Sequence, residues 1–252
     1  MLKEIIISIQ SYFEAHQFIR KHRLWKWILI PGIIYALLFI TGMYFFWHSS
    51  TEAVSLLTNK IGLQAWLQRQ RSDLLSFLFM MAGIILQLIF ILFYFSLFKY
   101  LFLIIGSPVF AYLSEKTESI LEGKDIEFTL AQLAKDAGRG SMLAIRNSLW
   151  QTVYFFSLLL LSMVPVIGWI APLIALLVEC YYYGFSMVDY SCERAKLSPS
   201  QSIDFIGHHR GLAIGNGLIF YLMHAFIIIG WVLAPAYAVV AATLSVHKIK
   251  NT

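Results

Sequence analysis

The sequence predicts an all-α, polytopic integral membrane protein with two long transmembrane helices and two helical hairpins that partly or fully penetrate the bilayer. Three observations support this fold class. Of the 252 residues 59% are apolar and only 13% are charged, whereas soluble domains have about 45–50% and about 25%. Two uncharged runs of 21 and 25 residues are long enough to cross a bilayer. Two later apolar runs share a Gly-Trp pattern at their centres, each followed by proline.

The first 26 residues predict an amphipathic helix that lies at the membrane interface. Its apolar positions recur at three- and four-residue spacing: Ile5, Ile6, Ile9, Tyr12, Phe13 and His16. The first predicted span, 27–47, follows a basic cluster and has tryptophan anchors near its two ends. Pro31 falls in its first turn or so, where a missing backbone donor does little damage.

The second predicted span, 74–110, is longer than a bilayer requires. Its first 25 residues are uncharged, and the apolar character continues past Lys99 to Phe110. Gly106, Ser107 and Pro108 are expected to bend or stop this helix. The next segment, 114–147, contains most of the soluble character and predicts a cytoplasmic pair of helices. We expect a turn at Gly123 and a hinge at Gly138-Arg139-Gly140.

The runs 148–188 and 211–246 predict two hairpins with one plan: helix, Gly-Trp break, proline, helix. The breaks contain no charged residue, whereas an external loop normally contains Asn, Asp, Ser or Lys. Such a tip is favoured inside the membrane, where other parts of the protein cover its irregular backbone. Four complete spans remain the alternative. The predicted tip residues are Pro165, Gly168, Trp169, Pro172, Gly230, Trp231 and Pro235.

The charges predict orientation and exclude several functions. Fifteen of the 19 Lys and Arg residues lie in segments that both topologies place on one side, against three in the 48–73 connection. The positive-inside rule then puts both termini in the cytoplasm. The two cysteines lack metal-ligand spacing, and no metal, cofactor or catalytic constellation is predicted. Dispersed basic residues argue against nucleic acid.

Two cationic helix starts are candidate anion sites, because a helix N-terminus has unpaired N–H groups and a partial positive charge. Arg20, Arg23 and Lys26 recur at a three-residue spacing and would share one face of a continuing helix. His208 and Arg210 stand at the start of the last hairpin. Membrane anchoring by the first group and a solvated turn at the second are the simpler alternatives.

Six stretches together resemble one known family over about residues 12–246. They are LWKWILIPGIIY (24–35), IIGSPVFAYLSEKTESILEG (104–123), VPVIGWIAP (164–172), YGFSMVDYSCERAKLS (183–198), HHRGLAIGNG (208–217) and IIGWVLAPAYAVVAATL (228–244). In this order and spacing they resemble the CysZ-type sulfate permeases, grouped with the etoposide-induced membrane proteins. The resemblance implies two long spanning helices and two pairs of partly penetrating helices. It also implies a homo-oligomer in the bacterial inner membrane that takes up sulfate.

The family's anion motif, Gly-Leu-Arg often followed by a second Arg, is altered here. Leu24 matches its leucine, Arg23 stands at the glycine, Trp25 at the first arginine and Lys26 at the second. Lysine attracts a dianion but lacks the bidentate fork of arginine. We therefore expect a transporter or channel for a small inorganic anion, with sulfate as the candidate and membrane lipids as further partners. A non-transporting scaffold that binds lipid or partner proteins is the alternative.

Overall fold

The computed structural model describes residues 1–60, 73–123, 130–164, 167–226 and 228–250, and within these ranges it is helical and contains no strand. The α-helices in these ranges are α1 (Leu2–Lys21), α2 (Trp25–Lys60), α3 (Asp73–Glu122), α4 (Leu130–Ser162), α5 (Ala171–Arg194), α6 (Pro199–His208), α7 (Arg210–His224) and α8 (Ile229–Lys250). A short 3-10 helix, Ile167–Trp169, lies between α4 and α5. The all-α prediction is confirmed.

Four of the described helices are long and apolar enough to cross a membrane. The qualifying segments are Trp25–Glu52, Phe77–Glu122, Ala171–Arg194 and Ile229–Lys250. Large apolar side chains are exposed along α2 and α3, among them Leu37, Phe77 and Leu88. In water this surface would be costly, whereas lipid chains solvate it. The chain is therefore a multi-pass α-helical membrane protein, as the composition predicts.

The chain forms two compact units. The larger unit comprises Met1–Ala36 and Lys99–Thr252, and its centre consists of α5, α7, α8 and α1 packed on one another. Helices α5 and α7 approach backbone to backbone at Gly184 and Gly217, where a Cβ atom would lie within 2.0 Å of a carbonyl oxygen of the other helix. Glycine at such crossings lets membrane helices pack closely.

The smaller unit, Leu37–Phe98, contains parts of two helices that pack through aromatic rings and few polar contacts. Phe39 lies 5.2 Å from Phe95 and 5.0 Å from Phe98, measured between ring centroids. The Tyr94 hydroxyl donates to the Phe39 carbonyl oxygen at 3.1 Å. This hydrogen bond gives a buried polar group a partner in an apolar environment.

The helices differ in two places from those expected. Helix α3 continues through Pro108 to Glu122, so Gly106-Ser107-Pro108 does not stop it, and a bend there stays a prediction. The expected hinge at Gly138-Arg139-Gly140 is also wrong, because these residues lie inside α4. Gly140 faces Tyr190 at a distance that leaves little room for a side chain. The turn at Gly123 is present with a φ of 66°.

The two hairpins use their central glycines in the same way. A Cβ atom on Gly168 would lie 2.3 Å from the Ser162 carbonyl oxygen, and one on Gly230 would lie 1.8 Å from that of Met223. Each glycine amide donates to a carbonyl four residues earlier, Val164 at 2.9 Å and Phe226 at 2.8 Å. Each hairpin turn therefore satisfies part of its own backbone.

The other predicted tip residues occupy less similar positions. Trp169 is 87% exposed, whereas the Trp231 indole donates to the His224 carbonyl oxygen at 3.1 Å. Pro172 lies in the first turn of α5, and Pro235 lies inside α8. Pro165 lies outside the described residues. How deeply either hairpin enters the bilayer stays a prediction.

Candidate anion-binding site

Arg210 lies at the rim of a cleft between α4, α5 and α7. It is the first residue of α7, it is exposed, and its Nε atom donates to the Gly207 carbonyl oxygen at 2.9 Å. This leaves the other guanidinium nitrogens free to approach a ligand from the rim. The cleft has a volume of about 390 Å³ and is lined by Tyr154, Ile174, Leu177, Val178, Tyr181, Tyr182, Arg210 and Ile214.

A second guanidinium group, that of Arg146 on α4, lies near two tyrosines of this cleft but is not part of its lining. The charges of Arg146 and Arg210 both act on the Tyr181 hydroxyl, and that of Arg146 also acts on Tyr182. The Arg146 guanidinium lies 5.8 Å from the centroid of the Phe185 ring. Guanidinium groups and phenolic hydroxyls are all hydrogen-bond donors, and arginine forks match oxyanion geometry. Groups of this kind are the ones that bind oxyanions in proteins.

The helix start beside Arg210 already contains a carboxylate from the same chain. The Gly211 amide donates to Glu4 Oε2 at 3.1 Å, and His209 Nδ1 lies 2.9 Å from Glu4 Oε1. An acid at this position is stabilised by the helix dipole. His208, the other predicted ligand here, is exposed at the end of α6 with Nδ1 2.9 Å from the Asp204 carbonyl oxygen. Its role as an anion ligand stays a prediction.

The first predicted cationic group lies at the turn between α1 and α2. Arg20, Arg23 and Lys26 are exposed, and Leu24 is 4% exposed. The prediction that these three cations share one face of a continuing helix is wrong, because α1 ends at Lys21 and α2 begins at Trp25. Partial burial, and then the ammonium groups of Lys21 and Lys116, lower the pKa of His22 in this turn.

The two cationic groups lie at opposite ends of α1. Glu4, which contacts His209, is 16 residues from Arg20 along this helix, a distance of about 24 Å at a rise of 1.5 Å per residue. They cannot bind one small ion together. Of the predicted site residues, only Arg210 lines the cleft.

Arg23 occupies a backbone conformation that favours glycine. Its φ is 54°, its amide donates to the Arg20 carbonyl, and the Leu24 amide donates to the Ile19 carbonyl. This pattern is a Schellman motif, in which the residue after the C-cap is usually glycine. Lys196 has the same conformation, with a φ of 59°, at the end of α5. The glycine of the resembled motif therefore has a structural counterpart at Arg23.

We expect Arg23→Gly to raise the free energy of unfolding by up to about 1 kcal/mol, because glycine avoids the cost of a left-handed backbone. The midpoint of thermal unfolding in detergent checks this. Lys196→Gly is the matched control and should give a similar gain. Sulfate binding that falls with Arg23→Gly but not with Lys196→Gly would support an anion role for Arg23, and destabilisation by both variants would contradict the backbone argument.

A buried ion pair joins four helices in the larger unit. Lys99 of α3 is 4% exposed and pairs with Glu179 of α5. The Tyr221 hydroxyl of α7 receives a hydrogen bond from Lys99 Nζ at 2.9 Å and donates to Glu179 Oε2 at 2.6 Å. Gln151 of α4 donates to Glu179 Oε1 and accepts from the Tyr100 hydroxyl. The Lys99 and Glu179 side chains therefore pair with each other inside the protein and do not extend to the membrane surface.

A second network of charged residues connects α3, α4, α5 and α6. Arg139 donates to Asp189 Oδ1 at 2.9 Å, and Asp189 also accepts from Ser202. Arg194 contacts Asp136 and lies 3.3 Å from Glu115. Their spacing in the sequence, with Asp189 and Glu193 four residues apart and Arg194 and Lys196 close by, predicts a surface network. That prediction is wrong, because the Asp189 side chain is 3% exposed and the network is buried between helices. A cleft of about 610 Å³ borders it.

Several of these residues were not apparent as site residues in the sequence. Tyr181 and Tyr182 lie in a run of three tyrosines that resembles an interfacial aromatic belt. Arg146 looks like any cytoplasmic cation. Lys99 and Glu179 are 80 residues apart in the sequence. The one sequence signal for these two residues is that each is a charged residue within an apolar stretch.

The family described as "Sulfate transporter CysZ/Etoposide-induced protein 2.4" matches residues 11–235. The chain belongs to this family. The CysZ family is one of transporters and not of enzymes, which agrees with the expected absence of catalytic machinery.

Individual relatives within the CysZ family are distant. The "Sulfate transporter CysZ" of Pseudomonas syringae pv. tomato is 28% identical over 143 residues, 56% of each chain. A protein of the same name from Pseudomonas fluorescens is 28% identical over 56% of this chain and 57% of its own. The protein from Pseudomonas aeruginosa is 26% identical over 233 residues, 92% of this chain and 90% of its own. The chain thus spans just over half the length of the first two relatives in their alignments.

Proposed function

We propose that this protein moves a small inorganic oxyanion, with sulfate as the candidate, across the bacterial inner membrane. The observation that supports this most is the cleft lined by Arg210 and three tyrosines at the start of the second hairpin. Its donors suit a tetrahedral oxyanion. The relatives named as sulfate transporters support the choice of ion.

The orientation and assembly belong to the same proposal. Both termini lie in the cytoplasm, as the excess of Lys and Arg predicts, and the chain forms a homo-oligomer. Labelling of a cysteine introduced at Lys3 from the cytoplasmic side only would agree with this orientation, and labelling from the periplasm would contradict it. Light scattering in detergent tests the assembly, and the mass of one chain would contradict an oligomer.

The cleft is tested by uptake of radiolabelled sulfate into proteoliposomes. We expect Arg210→Gln to lower the initial rate at low sulfate at least about tenfold, because a charge-assisted hydrogen bond contributes about 1.5–3 kcal/mol. Arg210→Lys keeps the charge but loses the fork, and it should give an intermediate rate. Lys248→Gln is the matched control, since Lys248 is partly exposed and pairs with Glu14 away from the cleft.

An unchanged rate in Arg210→Gln would contradict the assignment of the cleft. Loss of uptake in both Arg210→Gln and Lys248→Gln would indicate a general effect of charge or folding, and it would count against a specific site. Absence of uptake by the unaltered protein would favour the non-transporting scaffold. Circular dichroism of each variant, compared with the unaltered protein, establishes that the helices are intact.

A further inference from the structure

The ion pair of Lys99 and Glu179 places a set of donors around one carboxylate. The Lys99 ammonium group and the Tyr221 hydroxyl bind Glu179 Oε2, and the Gln151 amide binds Oε1. Lys99 Nζ also lies 5.0 Å and 5.6 Å from the ring centroids of Tyr100 and Tyr221. These donors come from α3, α4 and α7, and they converge on the Glu179 carboxylate.

The same donors would bind a free oxyanion. An ammonium group, a phenolic O–H and a carboxamide N–H each donate to oxygen, and none of them requires the oxygen to belong to a side chain. A buried ammonium group without an anion is costly, so Lys99 in its charged form requires a negative partner. Buried ion pairs often add little stability compared with apolar residues of similar volume, and ionisable residues within membrane helices commonly mark ion pathways.

The cluster lies beside the cleft on the helices that form it. Tyr221 is 11 residues beyond Arg210 on α7, about 16 Å along the helix axis. Gln151 precedes the cleft residue Tyr154 by three positions on α4, so both side chains lie on one helix face. Glu179 precedes Tyr182 by three positions on α5 in the same way. Residues of the cleft and of the cluster are therefore neighbours on these two helices.

We infer that the Lys99 cluster is a second anion subsite, beside the cleft, whose resident ligand is the carboxylate of Glu179. An oxyanion that leaves the cleft displaces this carboxylate from Lys99, Tyr221 and Gln151, and the carboxylate returns when the ion departs. The step is an exchange of ligands and breaks no covalent bond. Between ions, the Glu179 carboxylate thereby occupies the Lys99 cluster and blocks the binding of an oxyanion there. This inference rests on the proposed transport of an oxyanion.

The test is sulfate binding to purified Glu179→Gln protein, which keeps the shape of the side chain and removes its charge. We expect its Kd for sulfate to fall at least tenfold relative to the unaltered protein. Sulfate should also raise its thermal unfolding midpoint more than chloride does at equal ionic strength. Glu115→Gln is the matched control. The Glu115 side chain is 23% exposed and that of Glu179 is 22% exposed. Arg194, the partner of Glu115, retains its ion pair with Asp136 in this variant.

A second variant keeps the inference testable if Glu179→Gln does not fold. Glu179→Asp retains the charge but withdraws the carboxylate by one methylene group, and it should also bind sulfate more tightly than the unaltered protein. Unaltered protein that takes up no sulfate would overturn the proposed function. Uptake by the unaltered protein, together with unchanged or weaker sulfate binding in the folded Glu179 variants, would overturn the subsite alone.

Discussion

Replacing Lys99 by methionine is expected to lower the free energy of unfolding by about 3–5 kcal/mol, the cost of breaking a buried ion pair from one side. The Glu179 carboxylate would keep its bonds to Tyr221 and Gln151 but lose its counter-charge. Two hydrogen bonds from neutral groups do not replace an ammonium ion in an apolar environment. Chemical unfolding in mixed micelles measures the loss.

The double variant Lys99→Met/Glu179→Leu is the control for that prediction. With both charges absent, neither has to be desolvated, and we expect the double variant to lie within about 1 kcal/mol of the unaltered protein. Such recovery would mean that the pair is not needed for folding, which leaves a functional reason for it. If the double variant instead loses as much free energy of unfolding as the two single changes added together, the pair is required for folding.

Replacing Gly217 by alanine is the second change with a large expected effect. The new Cβ atom would lie 2.0 Å from the carbonyl oxygen of Cys180, a backbone atom of the neighbouring helix. Helices α5 and α7 would have to separate, and the loss should be at least about 2 kcal/mol. The midpoint of thermal unfolding, together with the yield of folded protein in detergent, measures the effect.

Gly138→Ala is the matched control for the helix crossing. Gly138 lies inside α4, and a Cβ atom there would meet no atom within 4 Å. The change should therefore stabilise the protein by about 0.5–1 kcal/mol, because alanine is the better helix former. If Gly217→Ala were tolerated as well as Gly138→Ala, the close contact between α5 and α7 would be wrong.

The spans could be predicted because uncharged length is a local property of the sequence. Trp27 to Trp47 and Leu74 to Phe98 are both covered by helices. Helix ends were harder to predict. Proline at position 108 does not end α3. It lacks the amide that would donate to the Ile104 carbonyl, and the Ser107 hydroxyl donates to that carbonyl at 2.9 Å instead. Gly138 and Gly140 have little intrinsic helix propensity, yet both lie inside α4.

The candidate site depended on contacts that sequence spacing does not encode. The three-residue spacing of Arg20, Arg23 and Lys26 suggested one helix face, but the spacing is meaningful only when the helix is continuous. Here a residue with positive φ interrupts it, and arginine gives no signal of that conformation. Pairing of Lys99 with Glu179 depends on how α3 and α5 pack, which a single sequence does not reveal. Arg210 was predicted from its position at a helix start, and the tyrosines beside it were not.

Uptake of radiolabelled sulfate into proteoliposomes that contain only this protein tests the central claim most directly. The account predicts saturable uptake above that of protein-free liposomes, with competition by unlabelled sulfate and little by chloride. Uptake equal to that of protein-free liposomes, from folded and inserted protein, would contradict it.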